Sequence, residues 1–107
     1  MNVASAGKAP WVISVADPPP ALEISLLRET VILSWNQFVY AEGSNDEMRI
    51  AFASHDVVVR GAGLDPLLRA IAANRVALIR ETVRAESFPS LAGAFIREIV
   101  VRKIEVE

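Results

Sequence analysis

Apolar and polar residues alternate with a period of two along much of the chain, which is the spacing of strands with one buried face. Leu22 and Ile24 are separated by Glu23, and Met48 and Ile50 by Arg49. β-branched and aromatic residues are enriched in several of these stretches, as expected for strands. The pattern predicts strands near residues 11–15, 22–26, 30–41, 48–53, 57–60, 76–79 and 95–106.

The segment 30–41 changes phase in its middle. Leu33 and Trp35 share one face of an extended chain. Phe38 and Tyr40 share the opposite face. A bulge or a single helical turn at positions 36 and 37 would return all four side chains to one face. We therefore expect a local irregularity at Asn36–Gln37 within one long strand.

One helix is predicted after a glycine turn. Gly61 and Gly63 permit the backbone angles of a sharp turn. Asp65 is a favourable N-cap residue. A proline follows it at the first helical position, where a main-chain N–H would have no hydrogen-bond partner within the helix. Leucine and isoleucine side chains then recur on one face, as in an amphipathic helix. That stripe comprises Leu64, Leu67, Leu68 and Ile71.

Together these elements predict an α+β fold: a curved, mostly antiparallel sheet of six or seven strands with one amphipathic helix packed on it. Residues 1–10 are small and polar and predict a flexible N-terminal tail. Residues 11–107 are enough for a single α+β domain. Three consecutive prolines at 18–20 cannot donate to a sheet, so they predict a stiff connector.

Composition narrows the functional classes. The chain has 107 residues and no cysteine, which excludes disulfides and thiolate metal sites. A net charge of −2 argues against a general nucleic-acid binder. No apolar stretch approaches the length of a membrane span and none at the N-terminus is typical of a signal peptide, so we expect a cytoplasmic protein with no membrane partner.

His55 and Asp56 are the most evident candidates for catalysis, and with Tyr40 they would lie near the mouth of a site between the helix and the curved sheet. A carboxylate that orients an imidazole is part of many catalytic sites. The two are neighbours, however, and adjacent strand residues point to opposite faces, so they cooperate only if a hairpin turn at 54–56 brings them together. Both residue types are also common in turns. His55 is the single histidine, and we expect neither a metal nor a cofactor.

Three further patterns have simpler structural explanations. The oxygens of residues 42–47 lack the ligand spacing of a calcium loop. The Gly61–Gly63 turn lacks the third glycine of a dinucleotide-binding fingerprint. A nucleic-acid-binding barrel would use Trp35, Phe38 and a basic patch. The patch would comprise Arg80, Arg84, Arg97, Arg102 and Lys103, but glutamates are interspersed among them, which makes nucleic acid an unfavoured partner.

The apolar content is the remaining signal. Hydrophobic residues make up 52% of the chain, more than such a small domain can bury. Exposed apolar area in a small domain usually marks a partner surface. We therefore expect a non-enzymatic module that binds another protein or a second copy of itself, with a small-ligand or enzymatic site near His55 as the alternative. The predicted interface residues are Ala51, Ala53, Val58, Val100 and Ile104.

Overall fold

A computed structural model describes residues 9–82 and 94–104. It contains eight strands, one α-helix and a short 3-10 helix at Trp35–Gln37. The predicted α+β class is thereby confirmed. The strands are β1 (Trp11–Ile13), β2 (Ala21–Ser25), β3 (Thr30–Ser34), β4 (Phe38–Gly43), β5 (Glu47–Phe52), β6 (His55–Ala62), β7 (Val76–Arg80) and β8 (Phe95–Lys103), and the helix α1 is Asp65–Ala72.

The strands form two sheets of four strands each, so the prediction of one curved sheet of six or seven strands is wrong. The first sheet has the order β1-β7-β2-β3, and the second has the order β4-β5-β6-β8. All pairings are antiparallel except that of β2 with β7. The predominance of antiparallel pairing agrees with the prediction.

The 3-10 helix at Trp35–Gln37 explains why residues 30–41 are divided between two sheets. The sequence predicted either a bulge or a helical turn here within one strand over residues 30–41, and a helical turn is present. It instead directs the chain out of β3 and into β4 of the other sheet. Ser34 caps it by accepting a hydrogen bond from the N–H of Asn36 at 3.1 Å. The phase change between Leu33 and Phe38 therefore marks a change of sheet.

Both sheets and the helix contribute to one hydrophobic core. The alternating residues of β2, β5 and β6 point inward, and Leu67 and Ile71 of α1 pack against them as the predicted stripe requires. No polar or charged side chain is buried within residues 9–82 and 94–104. The buried core comprises Leu22, Ile24, Leu33, Met48, Ile50, Phe52, Val57, Val59, Leu64, Leu67, Ile71, Val76, Ile79, Ile96 and Ile99.

The start of α1 differs from the prediction. Leu64 occupies the N-cap position without a side-chain hydrogen bond, and Asp65 is the first helical residue. The Asp65 carboxylate instead accepts a hydrogen bond from Arg69 at 2.9 Å. The N–H of Asp65 donates to the side-chain oxygen of Asn45, 3.0 Å away in the β4–β5 turn. A distant residue thus caps this helix, which a local motif could not indicate.

The two glycines before α1 have different roles. Gly63 has a φ of 68° and makes the predicted turn. Gly61 lies inside β6, where a Cβ would overlap the carbonyl oxygen of Phe95 and come within 2.9 Å of the Cα of Ile96. It is needed for the close approach of β8, and the register of the two strands shifts beside it. Residues 83–93, 105–107 and 1–8, which include most of the predicted tail, lie outside the described part.

Candidate functional site

Three strand pairings place several of the predicted site and interface residues on the outer face of the second sheet. One row across that face consists of Tyr40, Ala51, Asp56 and Arg102. The next row consists of Glu42, Arg49, Val58 and Val100. Because paired residues share a face, these side chains form one continuous surface opposite the core.

Arg49 lies at the centre of the first polar cluster. Its guanidinium donates to both carboxylate oxygens of Asp56, at 3.1 Å and 3.0 Å. The same guanidinium lies 5.8 Å from the centre of the Tyr40 ring, within cation–π range. The hydrogen bond with Asp56, followed by its negative charge, raises the pKa of Arg49 above the ordinary value. The carboxylate of Asp56 therefore forms an ion pair with Arg49 on the outer face of the second sheet.

His55 is not part of that cluster. The structure begins β6 at His55, so the predicted loop at 54–56 is shorter and the alternation of the strand separates His55 from Asp56. His55 Nδ1 instead lies 2.7 Å from the Oγ of Ser54. Among the hydrogen bonds and ion pairs of residues 9–82 and 94–104, none joins His55 to a carboxylate. Tyr40 and Asp56 are brought together, whereas His55 and Asp56 are not.

A second set of ion pairs lies further along the same face. Arg60 approaches Glu98 at 3.2 Å and Glu47 at 3.6 Å, one on each neighbouring strand. All three side chains are partly exposed. A shallow hollow of about 490 Å³ opens beside them, with Glu42, Arg49 and Val58 in its wall. Its carboxylates are paired with or lie close to arginines, so it is a solvated, mixed-charge surface rather than an acidic site.

Three of the five predicted interface residues, Ala51, Val58 and Val100, lie in the rows that contain these charges, and the five differ in exposed surface. Ala51 is only 5% exposed. Val58 and Val100 face each other across β6 and β8 and are half-buried. Ala53 is exposed in the β5–β6 turn, and Ile104, 37% exposed, donates its N–H to the carbonyl of Ser54 just after β8.

The aromatic residues divide between two places. Trp35 and Phe38 pack edge to face at 5.4 Å, and both contact the buried Phe52. The indole N–H of Trp35 donates to the carbonyl of Val76 at 3.0 Å. Tyr40 lies apart from them on the outer face of the second sheet. The three rings therefore do not form a common stacking platform.

A hollow of about 390 Å³ adjoins Trp35 and Phe38. Prolines of the connector form one wall, and the C-terminal end of α1 forms another. Its polar side chains are two asparagines, Asn36 and Asn74, neither of which is charged. Across residues 9–82 and 94–104, no group of three or more histidine, aspartate or glutamate side chains is placed to hold a metal ion.

The predicted basic patch is not assembled in the described residues. Arg80 is in the first sheet, where its guanidinium donates to the carbonyl of Ala9. Arg97, Arg102 and Lys103 belong to β8 in the second sheet. Arg84 lies outside the described residues. Within the ranges the structure describes, no helix is long and apolar enough to cross a membrane.

An exposed apolar surface that was not predicted from the sequence lies on the first sheet. On the outer face of the first sheet, the register places Val12, Leu78, Glu23 and Ile32 in one row. Val12 is 42% exposed and Ile32 is 65% exposed. The sequence did contain one sign of this surface. Ile32 is apolar although it lies between two inward-facing residues, at a position where strand alternation predicts a polar residue. Comparisons with protein-family models, curated proteins and solved structures each returned no match.

Proposed function

We propose that this chain is a non-enzymatic protein-interaction module that associates with a second copy of itself. One observation carries the proposal: large apolar side chains remain uncovered on the outer side of the first sheet. Ile32 and Val12 are the exposed apolar members of that row, and Leu78 and Glu23 lie between them. Covering such side chains is favourable by roughly 25 cal/mol for each Å² of apolar surface removed from water.

The charges of the two sheets favour the first sheet as the contact. Burying the outer face of the second sheet would desolvate the Arg49–Asp56 pair and both partners of Arg60. Removing paired charges from water is costly unless a partner replaces their solvation. On the outer face of the first sheet, residues 9–82 and 94–104 form no ion pair, and the row that contains Ile32 has one charged residue, the exposed Glu23, which must stay in contact with water in any contact made there. The residues predicted as the interface around Val58 are therefore the second candidate surface.

Light scattering coupled to size-exclusion chromatography tests the proposal over a range of protein concentrations. The expected result is a mass that rises with concentration from the monomer value of 11.6 kDa toward twice that value. A mass of 11.6 kDa at every concentration up to about 100 µM would contradict self-association of useful affinity.

Two serine variants compare the surfaces directly. Ile32→Ser alters the first sheet, and Val58→Ser alters the outer face of the second. We expect Ile32→Ser to weaken association and Val58→Ser to leave it nearly unchanged. The reverse result would move the contact to the face predicted from sequence. Circular dichroism of both variants establishes that each remains folded.

A further inference from the structure

Each of the two sheets ends in two edge strands, and three of these four edges are interrupted. The edge of β8 is occupied at two points: the Glu81 carboxylate accepts the N–H of Ile99 at 3.0 Å, and the Thr82 hydroxyl donates to the carbonyl of Ile96 at 3.1 Å. Side chains that take up edge groups in this way prevent another strand from pairing there.

The edges of β1 and β4 are irregular. β1 has three residues, and its register shifts between Val12 and Ile13. The register of β4 shifts between Phe38 and Tyr40. Short strands and bulges twist the edge groups out of line and are common protections against strand addition. Neither strand therefore offers a regular row of donors and acceptors.

β3 is the exception. Its five residues pair with β2 without a shift in register, and it contains neither a charged residue nor a proline. Ile32 at its centre is 65% exposed. An uncharged, regular and apolar edge strand is the kind that pairs with another strand.

The hydrogen-bonding direction of β3 is fixed at both ends. The N–H of Trp35 donates to the carbonyl of Pro20, and the carbonyl of Glu29 accepts from the N–H of Leu26. Both bonds point toward β2. Because antiparallel strands alternate between inward and outward backbone groups, the groups of Thr30, Ile32 and Ser34 point to the open edge.

We propose that β3 pairs antiparallel with β3 of a second copy, with Ile32 opposite its own counterpart on a twofold axis. This inference rests on the proposed self-association and specifies its contact. In this register Thr30 lies opposite the counterpart of Ser34, so hydroxyl side chains pair on both sides of the central isoleucines. The two first sheets become one continuous sheet.

The sequence of β3 favours its own copy as the occupant. Reversal of the strand about Ile32 exchanges Thr30 with Ser34 and Val31 with Leu33, so every residue meets one of similar size and polarity. No charge opposes a like charge, and all paired residues keep the same face. A twofold contact of this kind requires a surface that complements itself.

Cysteine crosslinking tests the register. Because the chain has no cysteine, Ile32→Cys introduces a single thiol. Its Cα would lie about 5.5 Å from its counterpart, within the range of a disulfide. Val39→Cys is the matched control, since Val39 is 62% exposed on β4, the edge strand of the other sheet. We expect mild oxidation to convert most Ile32→Cys protein to covalent dimer and little of the control. Equal crosslinking of both variants would overturn the pairing.

Charge insertion distinguishes edge pairing from packing of sheet faces. Ile32→Lys would place two lysines opposite each other at the twofold axis and remove the apolar contact there. We expect it to raise the dissociation constant of the dimer by about 100-fold. Val12→Lys lies on the same outer row but at the opposite edge of the first sheet, so the dimer should persist. Loss of the dimer in both variants, or in neither, would refute edge pairing while the proposed self-association stands. A wild-type protein that stays monomeric would refute both.

Discussion

Glu81 connects the two sheets through three hydrogen bonds, and the loss of its side chain should destabilise the protein. Its main-chain N–H donates to the carbonyl of Ser25 at 2.9 Å. One carboxylate oxygen accepts the N–H of Leu27, at 3.2 Å, after β2 of the first sheet. The other accepts the N–H of Ile99, at 3.0 Å, in β8 of the second. Glu81→Ala deletes both side-chain bonds and leaves the main-chain bond intact.

The expected cost follows from these two bonds. A hydrogen bond to a charged group contributes roughly 1.5–3 kcal/mol when it is buried. Glu81 is only half-buried, so water can replace part of each bond, and the two together should contribute about 2 kcal/mol rather than the full sum. In a domain of this size such a loss lowers the melting temperature by about 10 °C. Glu81→Gln keeps one acceptor oxygen and should lose about half as much.

Urea denaturation at low protein concentration measures this loss without a contribution from association. Glu23→Ala is the matched control, because Glu23 is an exposed glutamate of the first sheet with no side-chain hydrogen bond in the described residues. We also expect faster hydrogen exchange at the amide of Ile99 in Glu81→Ala. A Glu81→Ala variant as stable as Glu23→Ala, with unchanged exchange at Ile99, would show that the carboxylate does not join the sheets.

Two other pairs of variants test the close approach of β8 to β6 and the cap of α1. Gly61→Ala places a methyl group against the backbone at Phe95, so we expect a loss of about 3 kcal/mol or more in urea denaturation, whereas Gly63→Asn, which suits a positive φ, should cost less than about 1 kcal/mol. Equal losses would contradict the close approach of β8. Asn45→Ala removes the cap on the Asp65 N–H and should cost about 1 kcal/mol, and Asn45→Asp, which keeps an acceptor, should restore most of it. Failure of Asn45→Asp to recover stability would argue against capping.

The sequence predicted the local features of the fold well. The alternation of Leu22 with Ile24 and of Met48 with Ile50 placed buried residues on one face because strand periodicity depends only on neighbouring residues. The stripe of α1 was predictable for the same reason. The division into two sheets was not, because partner choice depends on contacts between distant segments, such as β2 with β7. The turn at Trp35–Gln37 was visible, but its effect on direction was not.

For the candidate site residues too, contacts between distant segments could not be predicted from the sequence. Strand alternation indicated that His55 and Asp56 point to opposite faces, and the longer β6 keeps them apart. The bond from Asp56 to Arg49 needed the β5–β6 register, which a single sequence does not contain. The exposure of Ile32 likewise depends on which face of the first sheet covers the core, and this follows from contacts between distant segments. Its neighbours are apolar too, so composition alone made it indistinguishable from a core residue.

The edge strands of the two sheets link the stability of the fold to the proposed dimer contact. Glu81 both joins the sheets and occupies the edge of β8, so a contact that used this edge would have to break a bond that supports the fold. Pairing through β3 breaks no hydrogen bond of the described residues, because none of those bonds uses its outward backbone groups. Strand addition there exchanges bonds to water for bonds between chains and covers Ile32 as well. The least costly way to bury the exposed isoleucine is therefore also the one that leaves the join between the sheets intact.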